Sequence, residues 1–448
     1  MACIDPANVQ GIIFQLYRYP LSRHFLFRVD NAAAARECVR QLLPQVTHAA
    51  VDLSRRPEPL INIGVSWTGL AALGIIGSAA ELADATAAFP SQFRAAPPMN
   101  MENWNGRFSN SDVHLTVHVY CMSEAKLDEI TAALRSAAVN ALTELSPTQD
   151  GAITGRSLGG DRLHFGFRDG ISQPAVKWDD AAPGQDLIDF RHFILGYASE
   201  ELPSSPKQGR WLDLVRDGSY GAFLWIHQNV AAFERFLTEN AAVIAPTLPL
   251  AEARELLAAK MMGRWRDGTP IALSPDRPDA TLANATNFDY ADDPRGIRCP
   301  LTAHVRIANH RSGPLTPVVQ PTFLAGGPYV LRRGMAYGPE LKGEIDDNVD
   351  RGLVGMFLGA NLRTQFFTLM HWINKTDFSP LFDTDRLRWQ DMMIADRATP
   401  GAVAKAAIKT EQAEVVLDAL PSFVRFQGTS MLLLPGMQGL SRLAEGRV

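Results

Sequence analysis

Cysteine is scarce in this chain of 448 residues, which contains four of them. They stand far apart, at Cys3, Cys38, Cys121 and Cys299, and no two form a Cys-x-x-Cys pair. A fold held together by disulfide bonds is therefore excluded. Few and scattered thiols are typical of proteins from a reducing compartment, so we expect a cytoplasmic protein.

Positive charge is also in short supply. The chain has 43 Lys and Arg residues against 48 Asp and Glu residues, which gives a formal net charge of -5 at pH 7. A protein that binds the phosphate backbone of nucleic acid needs the opposite balance. Nucleic acid is therefore not an expected partner.

The sequence lacks the segments that direct a protein into a membrane. Residues 1–10 read MACIDPANVQ, without a basic stretch that leads into an apolar one, so we expect no ordinary secretory signal. Residues 61–80 carry no charge over twenty positions, which raises the question of a membrane span. Four glycines and several hydroxyl and amide side chains in that segment instead favour a strand, a turn and a short helix. We expect no membrane interaction.

Four segments of the chain repeat one order, a short apolar strand followed by an amphipathic helix. The predicted strand and helix are residues 25–29 with 31–43, 113–121 with 123–135, 220–227 with 229–239, and 352–358 with 360–374. Two such units in each half predict a duplicated α+β fold, in which each half is a sheet with helices on one face.

Between the two halves lies a segment typical of a connector. Residues 178–210 contain three prolines among polar side chains. We therefore expect two domains, an N-terminal one over residues 1–200 and a C-terminal one over residues 201–448.

Two motifs suggest other chemistry, and for both a structural explanation is favoured. Residues 155–159 match the Gly-x-Ser-x-Gly elbow of hydrolases, but the polar sequence around Ser157 does not predict the strand and helix that this elbow requires. The spacing of His114, His118 and Cys121 is compatible with a zinc site. The two histidines, however, alternate with apolar residues, which predicts a strand with one polar face and structural histidines.

Three other segments contain residues suited to catalysis. Residues 165–174, FGFRDGISQP, place Asp169 on a glycine-flanked turn beside aromatic rings and an amide. Residues 299–306, CPLTAHVR, contain His304, and residues 329–338, YVLRRGMAYG, contain a pair of arginines. Alone, each has an ordinary explanation, because Asp-Gly is common in turns and a single histidine on a strand is more often a core residue.

Together, in this order and spacing, the three segments resemble those of the dye-decolorizing peroxidases, in particular the long-chain subtype. Residues 166–170 resemble the Gly-x-x-Asp-Gly signature of that family. Further blocks that resemble the family extend the likeness over nearly the whole chain and cover residues 61–74, 260–270, 287–311 and 346–374. The resemblance implies duplicated ferredoxin-like domains of the dimeric α+β barrel type. It also implies a haem peroxidase that uses hydrogen peroxide to oxidise dyes, phenolics and other aromatic donors in one-electron steps.

The resemblance implies a role for each matching residue. It makes His304 the iron ligand of one haem b per chain. It makes Asp169 the acid and base for the peroxide protons, and Arg332 the cation beside the developing negative charge. Arg306 and Arg311 resemble residues near the haem propionates, where a fixed cation would pair with a buried carboxylate.

Bulky donors do not reach a buried haem, so we expect their oxidation to pass through a surface radical. Tyr337 resembles a family tyrosine proposed for this role, and Trp372 is the second candidate. A tyrosine suits a half-buried position with its hydroxyl toward water. The alternative is a structural tyrosine in a turn.

The oligomeric state is expected to be a monomer or a homodimer.

Three positions depart from the pattern of the family. Ala336 stands where a proline usually precedes the tyrosine, and Gly355 stands where an aromatic residue is often found. Phe367 replaces a glutamate that many relatives have. The lost carboxylate predicts a different support for His304, and the lost ring predicts a looser pocket.

Two alternatives to a peroxidase remain open at this point. One is a haem carrier or haem-handling protein with the same fold and no turnover, since a fold does not fix a function. The presence of both Asp169 and Arg332 disfavours it, because a carrier needs no acid and base. The other is a structural protein with no cofactor, which a haem absorption band would exclude.

Overall fold

The computed structural model describes residues 4–94, 104–178, 187–197, 205–309, 328–375, 390–397, 405–411 and 413–447. The strands in these ranges are β1 Leu21–Val29, β2 Leu60–Val65, β3 Leu115–Cys121, β4 Leu142–Leu145, β5 Ile153–Arg156, β6 Val176–Lys177, β7 Ile188–Asp189, β8 Ser219–Gln228, β9 Leu331–Tyr337, β10 Gly352–Gly359, β11 Ala406–Lys409, β12 Glu414–Leu417 and β13 Val424–Leu434. The α-helices are α1 Gly11–Phe14, α2 Ala32–Leu42, α3 Trp67–Ala72, α4 Ala79–Ala88, α5 Ser91–Arg94, α6 Glu124–Ala138, α7 Arg210–Val215, α8 Val230–Ile244, α9 Leu250–Met262, α10 His304–Ala308, α11 Thr368–Lys375 and α12 Met437–Glu445.

Nine of the described strands form two antiparallel sheets with the same order, while β6 pairs with β7 and β11 pairs with β12. In the first, β1 lies between β3 and the short strands β4 and β5, and β3 also pairs with β2. In the second, β8 lies between β13 and β10, and β10 also pairs with β9. Helices α2 and α6 follow β1 and β3, while α8 and α11 follow β8 and β10. Each half is thus a βαββαβ unit of the ferredoxin-like kind, and the predicted duplicated α+β fold is confirmed.

The two sheets join at both edges. Leu433 of β13 pairs with Val65 of β2, and Gly155 of β5 pairs with Tyr337 of β9. Because β1 also pairs with β3, the strand pairings return to their starting point and the sheets close into a barrel. Closure removes the exposed sheet edges that would otherwise invite aggregation.

Polar side chains fix where the principal helices begin. Asn31 accepts a hydrogen bond from the amide of Ala34 at the start of α2. Ser123 does the same for α6, and Asn229 for α8. These caps satisfy backbone amides that have no partner inside the helix, so each helix starts directly after its strand.

The uncharged segment of residues 61–80 forms strand β2 and helix α3, as predicted. None of the helices in the described ranges has the length and apolar character needed to cross a bilayer. The predicted domain boundary near residue 200 lies outside the described residues.

The polar face predicted for β3 points into the interior, since all seven residues of this strand are buried. There His118 lies against His24 of β1, with 2.9 Å between their Nδ1 atoms. Ser22 Oγ lies 3.0 Å from His24 Nε2, and Thr116 Oγ1 lies 2.9 Å from His118 Nε2. Both rings therefore use both of their nitrogens inside the protein.

Burial keeps these two rings neutral. Loss of hydration lowers the pKa of His24 to about 3 and the pKa of His118 well below its usual value. Within the described ranges, no three His, Cys, Asp or Glu side chains lie together as a metal site would require. The structural interpretation of His118 therefore fits the structure better than the zinc site.

Candidate active site

A largely apolar cavity of about 320 Å³ lies in the C-terminal half. Its wall combines strands β8, β9 and β10, helices α10 and α11, and the loop that follows β5. Cofactor and small-molecule sites commonly span roughly 300–1,000 Å³ and carry a few polar groups on an apolar wall. His304, Asp169 and Arg332 are among the polar residues of this wall.

His304 is the first residue of helix α10 and contributes its ring to the cavity wall. Its Nδ1 lies 2.7 Å from Oδ2 of Asp391. A carboxylate at this distance fixes the ring orientation and places the proton on Nδ1. Nε2 is then the ring nitrogen with a free electron pair for a metal.

Asp391 is itself held rigidly, because it is fully buried and its other oxygen accepts two backbone hydrogen bonds. Oδ1 lies 2.7 Å from the amide of Met393 and 2.9 Å from that of Ile394. Sequence reasoning missed this residue, since it is 87 positions from His304 and belongs to no recognised motif. The carboxylate expected to be missing because of Phe367 is thus supplied from another segment.

Asp169 lies on a loop whose backbone is fixed on both sides. Gly166 and Gly170 have φ angles of +82° and +78°, a conformation that favours glycine. The amide of Asp169 donates to the carbonyl of Asp161 at 2.8 Å. The amide of Arg168 donates to the carbonyl of Arg266 at 3.1 Å. The two glycines and these two bonds determine where the Asp169 carboxylate lies.

Arg332 of β9 brings its guanidinium to 3.7 Å from the Asp169 carboxylate. The side-chain amide of Gln173 holds the backbone of Arg332 at both polar atoms, accepting from its N–H and donating to its carbonyl at 3.1 Å each. Both side chains of the Asp169–Arg332 pair are about one third exposed. A carboxylate and a cation are thus available together at the cavity wall.

The neighbouring Arg333 has a different environment. Its guanidinium is buried and donates to the carbonyls of Ile12 and Ile13 at 2.6 and 2.9 Å. Burial lowers the pKa of Arg333 to about 10. These bonds tie β9 to the N-terminal segment, which is a structural role.

Of the two arginines expected near the propionates, the structure gives Arg306 other partners. It is buried, donates to Asp293 and to the carbonyl of Cys299, and lies over the ring of Tyr290 at 4.4 Å. Arg306 is not among the described residues that line the cavity. Arg311 lies outside the described residues.

The two predicted relay residues lie close to the cavity. Tyr337 ends strand β9, whose residues Arg332 to Gly334 line the cavity. Trp372 lies on α11 next to Ile373, which also lines it. Tyr337 is buried rather than half-exposed, and its hydroxyl donates a hydrogen bond to Asp350.

Gly355 occupies a position with no room for an aromatic side chain. It pairs with Gly334 across strands β10 and β9. A Cβ atom there would lie 2.3 Å from the carbonyl oxygen of Arg333 and 2.5 Å from the Cα of Gly334. The glycine at position 355 therefore allows strands β9 and β10 to approach closely beside the cavity.

The hydrolase motif is not built as an elbow. Ser157 is exposed directly after β5, and its Oγ accepts a bond from the amide of Gly159. The segment that follows it, described as far as Trp178, contains no helix.

The residues around the cavity fit a haem. A neutral imidazole with a fixed free nitrogen suits iron, and an apolar wall suits a porphyrin. The Asp169–Arg332 pair adds a proton acceptor and a positive charge at another part of the wall. This combination can bind peroxide, move its protons and stabilise negative charge on its oxygen.

Comparison with known proteins supports this chemistry. The chain is 30% identical to a dye-decolorizing peroxidase of Mycena epipterygia over 401 residues, which are 84% of this chain and 73% of the relative. It matches the structure of an ancestral D-type dye-decolorizing peroxidase with a TM-score of 0.78 at 28% identity, over 98% of this chain and 99% of the other. A dye-decolorizing peroxidase in complex with 2,6-dimethoxyphenol matches with a TM-score of 0.76 at 26% identity, over 98% and 100% of the two chains. No family model matches the chain.

Proposed function

The chain belongs to the dye-decolorizing peroxidase family, and from this premise we propose which of its residues carry the activity. It is a haem peroxidase that uses hydrogen peroxide to oxidise dyes and phenolic donors. We assign the iron ligand to His304 and the peroxide chemistry to Asp169 and Arg332, with one haem b per chain. The single observation that supports this most is that all three side chains line one apolar cavity.

The haem, when bound, supplies the iron at which peroxide reacts and stores the oxidising equivalents. His304 presents Nε2 to the iron, because Nδ1 is engaged by Asp391. Hydrogen bonding to a carboxylate raises the electron donation of an imidazole, which favours the higher oxidation states of iron. Asp391 is therefore a positioning residue that acts through His304.

Asp169 moves the protons of the peroxide. Its carboxylate would accept a proton from hydrogen peroxide held in the cavity and would return a proton to the oxygen that leaves as water. Arg332, 3.7 Å away, supplies positive charge where negative charge develops.

Donors follow two routes in this proposal. Small phenols enter the cavity, whereas bulky dyes react at the surface and pass electrons inward through Tyr337. Trp372 is the second candidate for that relay. The cytoplasmic location, the monomeric or homodimeric state and the absence of nucleic-acid and membrane partners remain predictions.

The test of this assignment is the rate of reaction with peroxide in a rapid-mixing experiment. We expect Asp169→Asn to keep its haem and to react about a hundredfold more slowly, the low end of what a positioned acid and base contributes. Arg332→Leu should slow the reaction more than Arg333→Leu does, because Arg333 is engaged by backbone carbonyls. A parental rate in Asp169→Asn would make Asp169 a turn residue, and the reverse order of the arginines would move the role to Arg333.

A further inference from the structure

A tyrosine and a carboxylate are paired at the end of strand β9, outside the cavity. The hydroxyl of Tyr337 lies 3.0 Å from Oδ1 of Asp350. The side-chain amide of Gln427 lies 2.5 Å from the same hydroxyl and 3.1 Å from Oδ2 of Asp350. The three side chains therefore form a closed hydrogen-bonded group.

The donors and acceptors of this group fix the position of the phenol proton. The amide nitrogen of Gln427 can only donate, so the Tyr337 oxygen accepts from it. An ionised carboxylate can only accept, so the Tyr337 hydroxyl donates to Asp350. The phenol proton thus already points at a carboxylate oxygen.

Asp350 also connects this proton to water. Its Oδ1 lies 2.8 Å from Nδ1 of His227, and the side chains of His227 and Asp350 are 25% and 45% exposed. A proton that reaches Asp350 can therefore leave through His227 or directly to solvent. Tyr337, by contrast, is buried and depends on Asp350 for this path.

The ionisation behaviour of the two groups agrees with this arrangement. Burial raises the pKa of Tyr337, and the neighbouring Asp350 charge raises it further. Burial alone would raise the pKa of Asp350, but hydrogen bonds from His227, Gln427 and Tyr337 hold it below its ordinary value. The phenol stays protonated and the carboxylate stays ionised, as a donor and acceptor pair require.

The pair is within reach of the cavity. Gly334 lines the cavity and stands three residues before Tyr337 on the same strand, which is roughly 10 Å of extended chain. The ring of Trp225 packs against Tyr337 with 6.1 Å between centroids, and its neighbours Leu224 and Ile226 line the cavity. Strands β8 and β9 thus connect the Tyr337–Asp350 pair with the cavity wall.

We propose that Asp350 is the proton acceptor that makes Tyr337 oxidisable, an inference that rests on the proposed relay through Tyr337. Tyr337 loses one electron to the peroxide-oxidised haem site, and its O–H bond breaks as the proton moves to Asp350 Oδ1. The product is a neutral tyrosyl radical beside a protonated carboxyl group. An aromatic donor then returns one electron to Tyr337, and the proton returns from Asp350, so the net change is one-electron oxidation of the donor.

The experiment is freeze-quench electron paramagnetic resonance after the holoenzyme is mixed with hydrogen peroxide, in H₂O and in D₂O. We expect a tyrosyl signal whose formation is slower in D₂O. Asp350→Asn, which keeps the shape and removes the base, should form the signal about a hundredfold more slowly and lose the isotope effect. Asp350→Glu should restore part of the rate, because it restores a carboxylate.

Two controls separate the possible failures. Asp346→Asn removes the same charge from an exposed position four residues earlier and should leave the signal unchanged. Tyr337→Phe should remove the signal. If the signal persists in Tyr337→Phe, the relay itself is overturned. If Tyr337→Phe removes it but Asp350→Asn forms it at the parental rate, the relay stands and the role of Asp350 is overturned. The isotope effect in the unaltered protein needs no variant, and its absence would also contradict the proposal.

Discussion

Two histidine sites in this molecule, one in each ferredoxin-like half, differ in the partners of the ring. Nδ1 of His304 lies 2.7 Å from Oδ2 of the Asp391 carboxylate. The Nδ1 atoms of His24 and His118 lie 2.9 Å from each other. His24 and His118 are buried, whereas the side chain of His304 is 20% exposed at the cavity wall.

The hydrogen-bond partners of each ring determine whether a nitrogen is free to bind a metal. A carboxylate fixes one nitrogen of His304 and leaves the other for the proposed bond to iron. Ser22 and Thr116 occupy the remaining nitrogens of His24 and His118, so no electron pair is left for a metal. The first site is built for a cofactor and the second for packing between strands.

The largest effect that follows from this comparison is on haem binding. His304→Ala should lose most of its haem during purification, because the apolar wall alone then retains it. The matched variant His118→Asn should keep the parental ratio of haem to protein. Haem content per chain, measured by absorbance after gel filtration, checks both. Equal haem content in the two variants would remove the distinction between the sites.

A smaller effect is expected from the carboxylate behind the ligand. Asp391→Asn should keep the haem but raise the reduction potential of the iron, because His304 then donates less electron density. Turnover should fall by roughly 10–100-fold, the usual cost of changing a hydrogen-bond partner of a metal ligand. Spectroelectrochemical titration measures the potential. An unchanged potential would mean that Asp391 only fills space.

The smallest expected effect is a change with pH in the free energy of unfolding, caused by the buried pair His24 and His118. The pKa of His24 is about 3 in the folded protein and roughly 6.5 in an unfolded chain. Between these values the unfolded state binds more protons, so stability is lost as pH falls below roughly 6.5. His24 alone should lower the free energy of unfolding by about 2 kcal/mol between pH 7 and pH 5.

Denaturant unfolding at the two pH values, in the unaltered protein and in His24→Asn, measures this contribution. The variant should lose less stability on acidification than the unaltered protein does. An equal loss in both proteins would show that His24 is not a source of acid sensitivity.

The order of strand and helix in the four repeated units was predicted from the sequence, and the candidate site residues were named from the family resemblance. The helices predicted to begin at residues 31, 123 and 229 start within one residue of α2, α6 and α8, whereas the helix predicted from residue 360 is α-helical only from Thr368. His304, Asp169 and Arg332 stand in short segments that resemble family motifs, because their chemistry depends on local backbone geometry. The structure places all three at one cavity.

Long-range partners could not be predicted from the sequence. Asp391 reaches His304 across 87 residues of chain, and no local pattern marks it. Arg306 was expected at the propionates, but Asp293 and the ring of Tyr290 hold it elsewhere. The single residue pairs that close the barrel, such as Leu433 with Val65, likewise depend on how two distant sheets meet.

The most direct test of the account is the resonance Raman spectrum of the ferrous haem protein. The unaltered protein should show an iron–imidazole stretching band, and this band should move to lower frequency in Asp391→Asn, where the hydrogen bond to His304 is weaker. His304→Ala, reconstituted with excess haem, should lack the band. A band that persists in His304→Ala would show that another residue binds the iron and would contradict the account.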